Sequence, residues 1–244
     1  MNTYGLIGYP LGHSFSRKFF TEKFEKEGID AQYLNFEIPS IEDFPNIIQS
    51  HPNLRGLNVT IPYKQQVMQY LDEISPEAKA IGAVNVIKIA PLWKLGGYNS
   101  DVIGFVNSIR PLLKPHHRKA LILGTGGASK AIHYGLREKL GMDTLFVSRT
   151  GREGIITYDD VTAEVLKEYT IIVNCSPVGM YPHVDECPTL PYEAMTERHL
   201  LYDLVYNPEE TLFMKKGATY GATVKNGLEM LHLQALAAWE IWNF

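Results

Sequence analysis

The stretch Ala120-Leu121-Ile122-Leu123-Gly124-Thr125-Gly126-Gly127-Ala128-Ser129-Lys130 narrows the possible folds more than any other part of the chain. Four apolar residues read as a buried strand, glycines follow at once, and residues 128–140 then read as a helix. A strand that turns on glycines directly into a helix opens a βαβ unit. Such glycines permit a tight turn and let backbone N–H groups approach a pyrophosphate at the helix N-terminus. Ser129 stands third in the G-x-G-x-x-G pattern, so the match is incomplete, and a plain connecting turn is the competing account.

The same alternation runs along the whole chain. Strands are expected at 4–8, 33–38, 57–61 and 84–89, the last paired with 93–98, and helices at 15–27, 41–49, 63–70 and from Asp101 toward Ile109. Gly28 is the stop signal of the first helix. Further on, strands are expected at 144–148, 155–158, 171–175 and 200–204, a helix at 161–169, and a long C-terminal helix at 226–242. Strands alternating with helices predict an α/β fold with mostly parallel sheets. Pro111 and Pro115, with Lys114, His116, His117 and Arg118, break the apolar pattern as a domain junction does. The expected organisation is therefore one domain at 1–110, joined by the helix at 226–244, and a second, Rossmann-like domain at 111–225, with a cleft between them.

A chain of 244 residues suits one large domain or two modest ones, and its net charge of −4 offers no basic footprint for nucleic acid or anionic membrane. Cys175 and Cys187 form neither a CxxC pair nor a zinc spacing, so no metal is expected and a reducing cytoplasm is the default. The first residues show no secretory signal, and no window approaches the roughly 20 apolar residues of a membrane span.

The end of the second strand of the glycine-loop unit speaks to the cofactor. An NAD site carries Asp or Glu about 20 residues after the glycines, where it binds the ribose diol. Here the strand ends Val147-Ser148-Arg149-Thr150, without an acid. Arg149 and Thr150 suit the 2′-phosphate of NADP through charge-assisted hydrogen bonds; ordinary solvated surface is the alternative for the arginine.

Three clusters in the first half are unusually polar for strand ends: Gly8-Tyr9-Pro10-Leu11-Gly12-His13-Ser14-Phe15-Ser16, Asn58-Val59-Thr60-Ile61-Pro62-Tyr63-Lys64, and the pair Gly82-Ala83-Val84-Asn85 with Asn99-Ser100-Asp101-Val102-Ile103-Gly104. Open α/β sheets bind ligands at the carboxyl ends of their strands. Each cluster also has a plain account: Ser14, Ser16 and Asp101 as helix caps, Lys64 as a surface lysine at a helix start.

Together with the glycine loop, Asn174-Cys175-Ser176-Pro177-Val178-Gly179-Met180, Asp203-Leu204-Val205-Tyr206-Asn207-Pro208 and Asn226-Gly227-Leu228-Glu229-Met230-Leu231, these segments resemble the shikimate/quinate dehydrogenase family over nearly the whole chain. The resemblance implies reversible NADPH-dependent reduction of 3-dehydroshikimate to shikimate, in aromatic amino-acid biosynthesis by the chorismate pathway. It implies a substrate domain followed by an NADP domain, and a monomer or homodimer. By matching positions, Lys64 and Asp101 would be the catalytic pair, and Ser14, Ser16, Thr60, Asn85, Gln234 and Tyr206 would serve the substrate. Gly124, Gly126, Gly127 and Ala128 would carry the pyrophosphate, Arg149 and Thr150 the 2′-phosphate, and Met180, Gly227 and Met230 would lie by the nicotinamide.

Two departures from the family pattern fall at the adenosine end. Ser148 stands where the family often has Asn, and only Gly151-Arg152-Glu153-Gly154 separates Thr150 from the strand at Ile155. A parallel crossover ordinarily needs a dozen or more residues, so the NADP domain is expected to lack one crossover helix. The competing functions are a quinate or dual-specificity dehydrogenase using NAD, and a non-catalytic NADP-binding sensor on the same scaffold. Ser14, Ser16 and the missing acid favour shikimate and NADP; retention of Lys64 with Asp101 favours an enzyme.

Overall fold

In the computed structural model, which describes residues 1–12 and 14–244, the chain forms two compact units, Met1–Ser100 with Gln234–Phe244, and Asp101–Leu233. The first unit begins with β1 (Asn2–Gly8), α1 (Phe15–Glu27) and β2 (Ala31–Glu37). Ser14 caps α1 by accepting the Arg17 N–H at 3.1 Å, and Gly28 ends it at φ +63°, a conformation that costs glycine nothing. There follow α2 (Phe44–Ser50), β3 (Leu54–Val59), β4 (Glu73–Ile74), α3 (Pro76–Ile81), β5 (Val86–Ile89) and β6 (Leu95–Tyr98). The sheet order is β2-β1-β3-β5-β6-β4. β1 pairs in parallel with β2 and β3, and β4 with β6, whereas β5 is antiparallel to both neighbours, so this sheet is mixed.

The helix expected at 63–70 shrinks to a 3-10 turn at Gln66–Tyr70. The Lys64 carbonyl is taken by the Val84 N–H at 2.7 Å, which removes it from a helical ladder, and Met68 N–H bonds the Gln65 carbonyl three residues back instead. Tertiary pairing thus overrides local periodicity at the segment that holds Lys64. β4 and α3 have no counterpart in the periodicity reading, which short elements escape.

Residues 234–244 cover one face of the first unit's sheet. Trp242 packs at a tilt against Tyr4 and Phe20, with ring centroids 4.8 Å and 5.2 Å away, and its indole N–H donates to the Ile87 carbonyl at 3.0 Å. Phe20, Phe24, Tyr33, Ala235 and Ala238 belong to this core, with Leu6, Val86 and Ile241.

The second unit starts with α4 (Asp101–Ile109), then β7 (Lys119–Leu123), α5 (Gly127–Tyr134), β8 (Asp143–Ser148), β9 (Ile155–Thr157), α6 (Ala163–Glu168), β10 (Ile171–Asn174), β11 (Leu200–Asp203), α7 (Leu212–Thr219), β12 (Thr223–Lys225) and α8 (Leu228–Asn243), the last crossing into residues of the first unit. α7 and β12 were not legible as elements in the sequence. The sheet order is β12-β11-β10-β7-β8-β9, with every neighbour parallel. Counted from β7 as strand one, this is the 3-2-1-4-5-6 order of dinucleotide-binding sheets.

All six strands of that order are present, and one crossover helix is missing between β8 and β9. A link that short can join parallel strands because the pairing covers only three residues, Phe146 with Ile155 to Ser148 with Thr157. The chain need step back only two residues along β8, and a bridge between Arg152 and Ile155 makes the turn.

The unit boundary lies at Ser100/Asp101, earlier than the 110/111 junction that the prolines suggest. α4 is the reason. A Cβ on Gly135, just after α5, would sit 3.0 Å from Val106 and 3.2 Å from Phe105, and the Ser108 hydroxyl lies 2.6 Å from that of Tyr202. Close packing against α5 and β11 draws α4 into the second unit ahead of the prolines. Among the described residues, no helix is long and apolar enough to cross a membrane.

Candidate active site

Each unit has a polar centre at one edge of its sheet. In the first, Asn58 on β3, Asn85 just before β5 and Ser100 just after β6 are all buried. Ser100 N–H donates to Asn85 Oδ1 at 2.7 Å, and Asn85 Nδ2 donates to Ser100 Oγ at 3.1 Å. The Ser100 hydroxyl also lies 3.4 Å from Gln234 Oε1. Tyr33 donates its phenol proton to Asn58 Oδ1 at 2.8 Å and interacts with the Ser16 hydroxyl. Burial pushes the Tyr33 phenol well above its ordinary pKa, and the Ser16 contact pulls it the other way. Asn99 Nδ2 donates to the Ala83 carbonyl at 2.9 Å. Buried amides and hydroxyls held this way have fixed orientations and present donors and acceptors without rearranging.

The flanking loop is fastened through its backbone. Thr60 N–H donates to the Ile7 carbonyl at 2.9 Å, Tyr9 N–H to the Ile61 carbonyl at 3.1 Å, and Val59 N–H to the Asn85 carbonyl at 2.8 Å. Gly8 abuts the Thr60 side chain, for a Cβ there would lie 2.4 Å from Thr60 Cγ2. The structure therefore joins Asn85 to Gln234 through Ser100, and holds Thr60 and half-buried Lys64 on one pinned loop. Ser14 and Ser16 stand at the start of α1, and Ser14 does cap that helix. Asp101 is buried as the first residue of α4, where the helix dipole favours a carboxylate. By compact units Lys64 falls in the first and Asp101 opens the second.

The second unit's centre begins at Gly124, with φ +102° and its N–H donating to the Val147 carbonyl at 2.8 Å. Gly126 precedes α5 and Gly127 opens it; at neither would a Cβ meet any atom within 4 Å. Space is open above the first turn of α5, which carries no acidic side chain, so the N-terminal N–H groups with Gly126, Gly127 and Ala128 fit a dinucleotide pyrophosphate. Ser129, in the third motif position, is buried, and its hydroxyl donates to the Gly126 carbonyl at 2.6 Å. It secures the turn from within the helix, which accounts for the incomplete glycine pattern. Arg149 and Thr150 are exposed at the end of β8.

At the ends of β10 and β11 lies a network whose role no motif in the sequence announces. Asp203 and Asn174 are fully buried, and Asn174 Nδ2 donates to Asp203 Oδ1 at 3.0 Å. Burial raises the Asp203 carboxyl to about 6, against hydrogen bonds from Thr211, the Val205 N–H and Asn174. Desolvation likewise pushes the thiol of half-buried Cys175 up. Gly227 is obligatory at its position, because a Cβ would fall 2.1 Å from the Leu204 carbonyl oxygen. Met180 and Tyr206 are exposed and Met230 is buried. The available signal was a polar residue closing an otherwise apolar strand, Ile171-Ile172-Val173-Asn174 and Leu200-Leu201-Tyr202-Asp203.

Comparison with known proteins bears on this pair of centres. Residues 6–87 match the family described as "Shikimate dehydrogenase substrate binding domain". A shikimate dehydrogenase (NADP(+)) of Desulforamulus reducens is 34% identical over 98% of this chain and 89% of its own length. A shikimate 5-dehydrogenase of Thermus thermophilus, solved in complex with NADP(H) and shikimate, superposes with a TM-score of 0.87 at 31% identity, over 99% of this chain and 93% of that one. A quinate dehydrogenase of Corynebacterium glutamicum, solved in complex with NAD, superposes with a TM-score of 0.88 at 25% identity, over 99% of this chain and 93% of that one.

Proposed function

The chain belongs to the shikimate dehydrogenase family, and on that premise we propose that it catalyses the reversible NADP-dependent interconversion of shikimate and 3-dehydroshikimate. It is an oxidoreductase acting on a secondary alcohol, within aromatic amino-acid biosynthesis. Its partners are these small molecules; we assign it to the cytoplasm, as a monomer or homodimer.

The nicotinamide, when bound, supplies or takes up the hydride. The chain's own residues manage the proton and the substrate. A ketone carbon that gains hydride leaves its oxygen as an alkoxide, which needs a proton and nearby positive charge. Lys64 donates that proton from Nζ in reduction and takes it back in oxidation, and Asp101 keeps the ammonium oriented. Ser14, Ser16, Thr60, Asn85, Tyr206 and Gln234 bind the hydroxyls and carboxylate of the substrate. A small polyhydroxy acid loses water at every hydroxyl on binding, and a site built of amides and hydroxyls replaces each lost bond while rejecting analogues that lack one.

For the cofactor, Gly124, Gly126, Gly127 and Ala128 hold the pyrophosphate, Arg149 and Thr150 the 2′-phosphate, and Met180, Gly227 and Met230 line the nicotinamide. The open Cβ positions at Gly126 and Gly127 support this reading. The observation that carries the substrate reading is the buried Asn85–Ser100–Gln234 network at the strand ends of the first unit.

The test is a steady-state assay of the purified protein with shikimate and with quinate, each with NADP+ and NAD+, followed by nicotinamide absorbance. The highest kcat/KM is expected for shikimate with NADP+. A higher value for quinate with NAD+ would replace this reading with that of a quinate dehydrogenase, and no turnover on any pair would leave a binding protein.

A further inference from the structure

A fully buried carboxylate is costly unless its oxygens are satisfied, and apolar replacements of buried charges are often neutral or stabilising. Stability alone is therefore a poor reason for Asp203 at the end of β11. Its hydrogen bonds lead instead into two loops. Oδ1 accepts from Asn174 Nδ2 and from the Val205 N–H, both at 3.0 Å, and Oδ2 accepts from the Thr211 hydroxyl at 2.7 Å. Through Asn174 the contact reaches the loop after β10: Asn174 Oδ1 accepts from the Ser176 N–H at 3.1 Å and hydroxyl at 2.7 Å, and its Nδ2 also lies 3.3 Å from the Val178 carbonyl. Through Val205 and Thr211 it holds both ends of the loop after β11, where Thr211 also caps α7.

The two loops are joined to each other beside Met180 and Tyr206, for the Tyr181 N–H donates to the Asn207 carbonyl at 3.0 Å. The start of α8 is tied in as well, through Gly227 N–H to the Val205 carbonyl at 3.2 Å. β10 and β11 are adjacent and parallel, so both loops leave from the edge of the sheet where such folds bind ligands.

We propose that Asp203 is a positioning residue for the reaction: through Asn174 and Thr211 it sets the loops that carry Met180 and Tyr206. It touches neither reactant and acts by holding both loops in one register. The assignment rests on the dehydrogenase reading above, and the test separates the two.

The experiment compares Asp203→Asn, Thr211→Val and Thr211→Ser with the parent chain. Each is measured for kcat and KM with shikimate and NADP+, for thermal unfolding, and for amide hydrogen exchange of loops 175–181 and 204–211 without ligands. Asp203→Asn is nearly isosteric and replaces an acceptor oxygen by an N–H donor. It is expected to lower kcat/KM by roughly tenfold to a hundredfold, as small misplacements of positioned groups do, and to speed exchange in both loops more than in β7. Thr211→Val removes the hydroxyl arm together with the cap of α7 and should speed exchange mainly in loop 204–211 and the first turn of α7, with a smaller kinetic loss. Thr211→Ser keeps the hydroxyl and should restore parental kinetics.

Unchanged kcat and KM in both Asp203→Asn and Thr211→Val, with an active parent, would overturn the proposal even if both variants melt earlier. Equal losses in Thr211→Ser and Thr211→Val would overturn the hydroxyl link. If Asp203→Asn fails to fold, the Thr211 pair decides. An inactive parent overturns the dehydrogenase reading instead, and the exchange comparison then decides whether Asp203 orders the two loops.

Discussion

Gly56 on β3 and Trp242 on α8 are matched in size: a Cβ on the glycine would lie 2.3 Å from the indole nitrogen, whose proton is already committed to the Ile87 carbonyl. The bare backbone of β3 is what lets residues 234–244 settle on the sheet of their own unit. Gly56→Ala should therefore push Trp242 aside and break its hydrogen bond. Overpacking of this kind costs about 1–3 kcal/mol, read as a lower urea midpoint. Because Gln234 lies about two helical turns earlier in α8, shikimate affinity should fall too. A variant of parental stability and affinity would mean that the indole shifts without cost.

Loss of Lys64 should fall on kcat. The charge it serves exists in the transition state and hardly in the ground state. Lys64→Met keeps much of the side-chain length without the ammonium, and kcat should drop by about 10²–10⁴-fold, the usual worth of general acid–base help, while KM for shikimate moves much less. Asp101→Asn should also slow turnover, and the double variant should lose less than the product of the two single losses, since the pair acts as a unit. Near-normal kcat in Lys64→Met would sink the mechanism.

Arg149→Ala tests the cofactor assignment at the end of β8. Charge-assisted bonds to a 2′-phosphate are lost only with NADP+, so its KM should rise by about tenfold while KM for NAD+ stays nearly unchanged. An equal change for both cofactors would show that Arg149 acts on the loop or the pyrophosphate and does not read the 2′-position.

His117 makes stability depend on pH. Its Nδ1 accepts the Lys114 N–H, and its Nε2 lies 3.0 Å from the Arg198 carbonyl, so the buried ring is neutral with its proton on Nε2. Burial lowers its pKa first, and His116, Lys114 and His199 add to that, against the Arg198 carbonyl, which raises it. A lowered folded-state pKa means that the stabilisation is complete above the ordinary imidazole value and is lost as pH falls through the lowered one. Between about pH 7 and about pH 5, the melting temperature should fall more steeply in the parent than in His117→Gln. Parallel curves would show that the imidazole does not titrate in that window.

The residues themselves determined much of this protein. The glycine turn, the strands around it, α1 with its Ser14 cap and Gly28 stop, and the missing crossover helix after Arg149 and Thr150 are local patterns, governed by backbone conformation and periodicity. Lys64, Asp101 and the glycines of the turn stand out in the sequence because they sit in short motifs at strand ends. What only tertiary structure decided depends on partners distant in sequence. The Val84 N–H takes the Lys64 carbonyl and cancels a helix that periodicity favours; α4 packs on α5 and moves the unit boundary ahead of the prolines. Asn58, Ser100 and Asp203 gain their significance only when folding buries them, because a polar group must then find its hydrogen bonds inside the protein, and no spacing along the chain announces that the partner of Asp203 is Asn174.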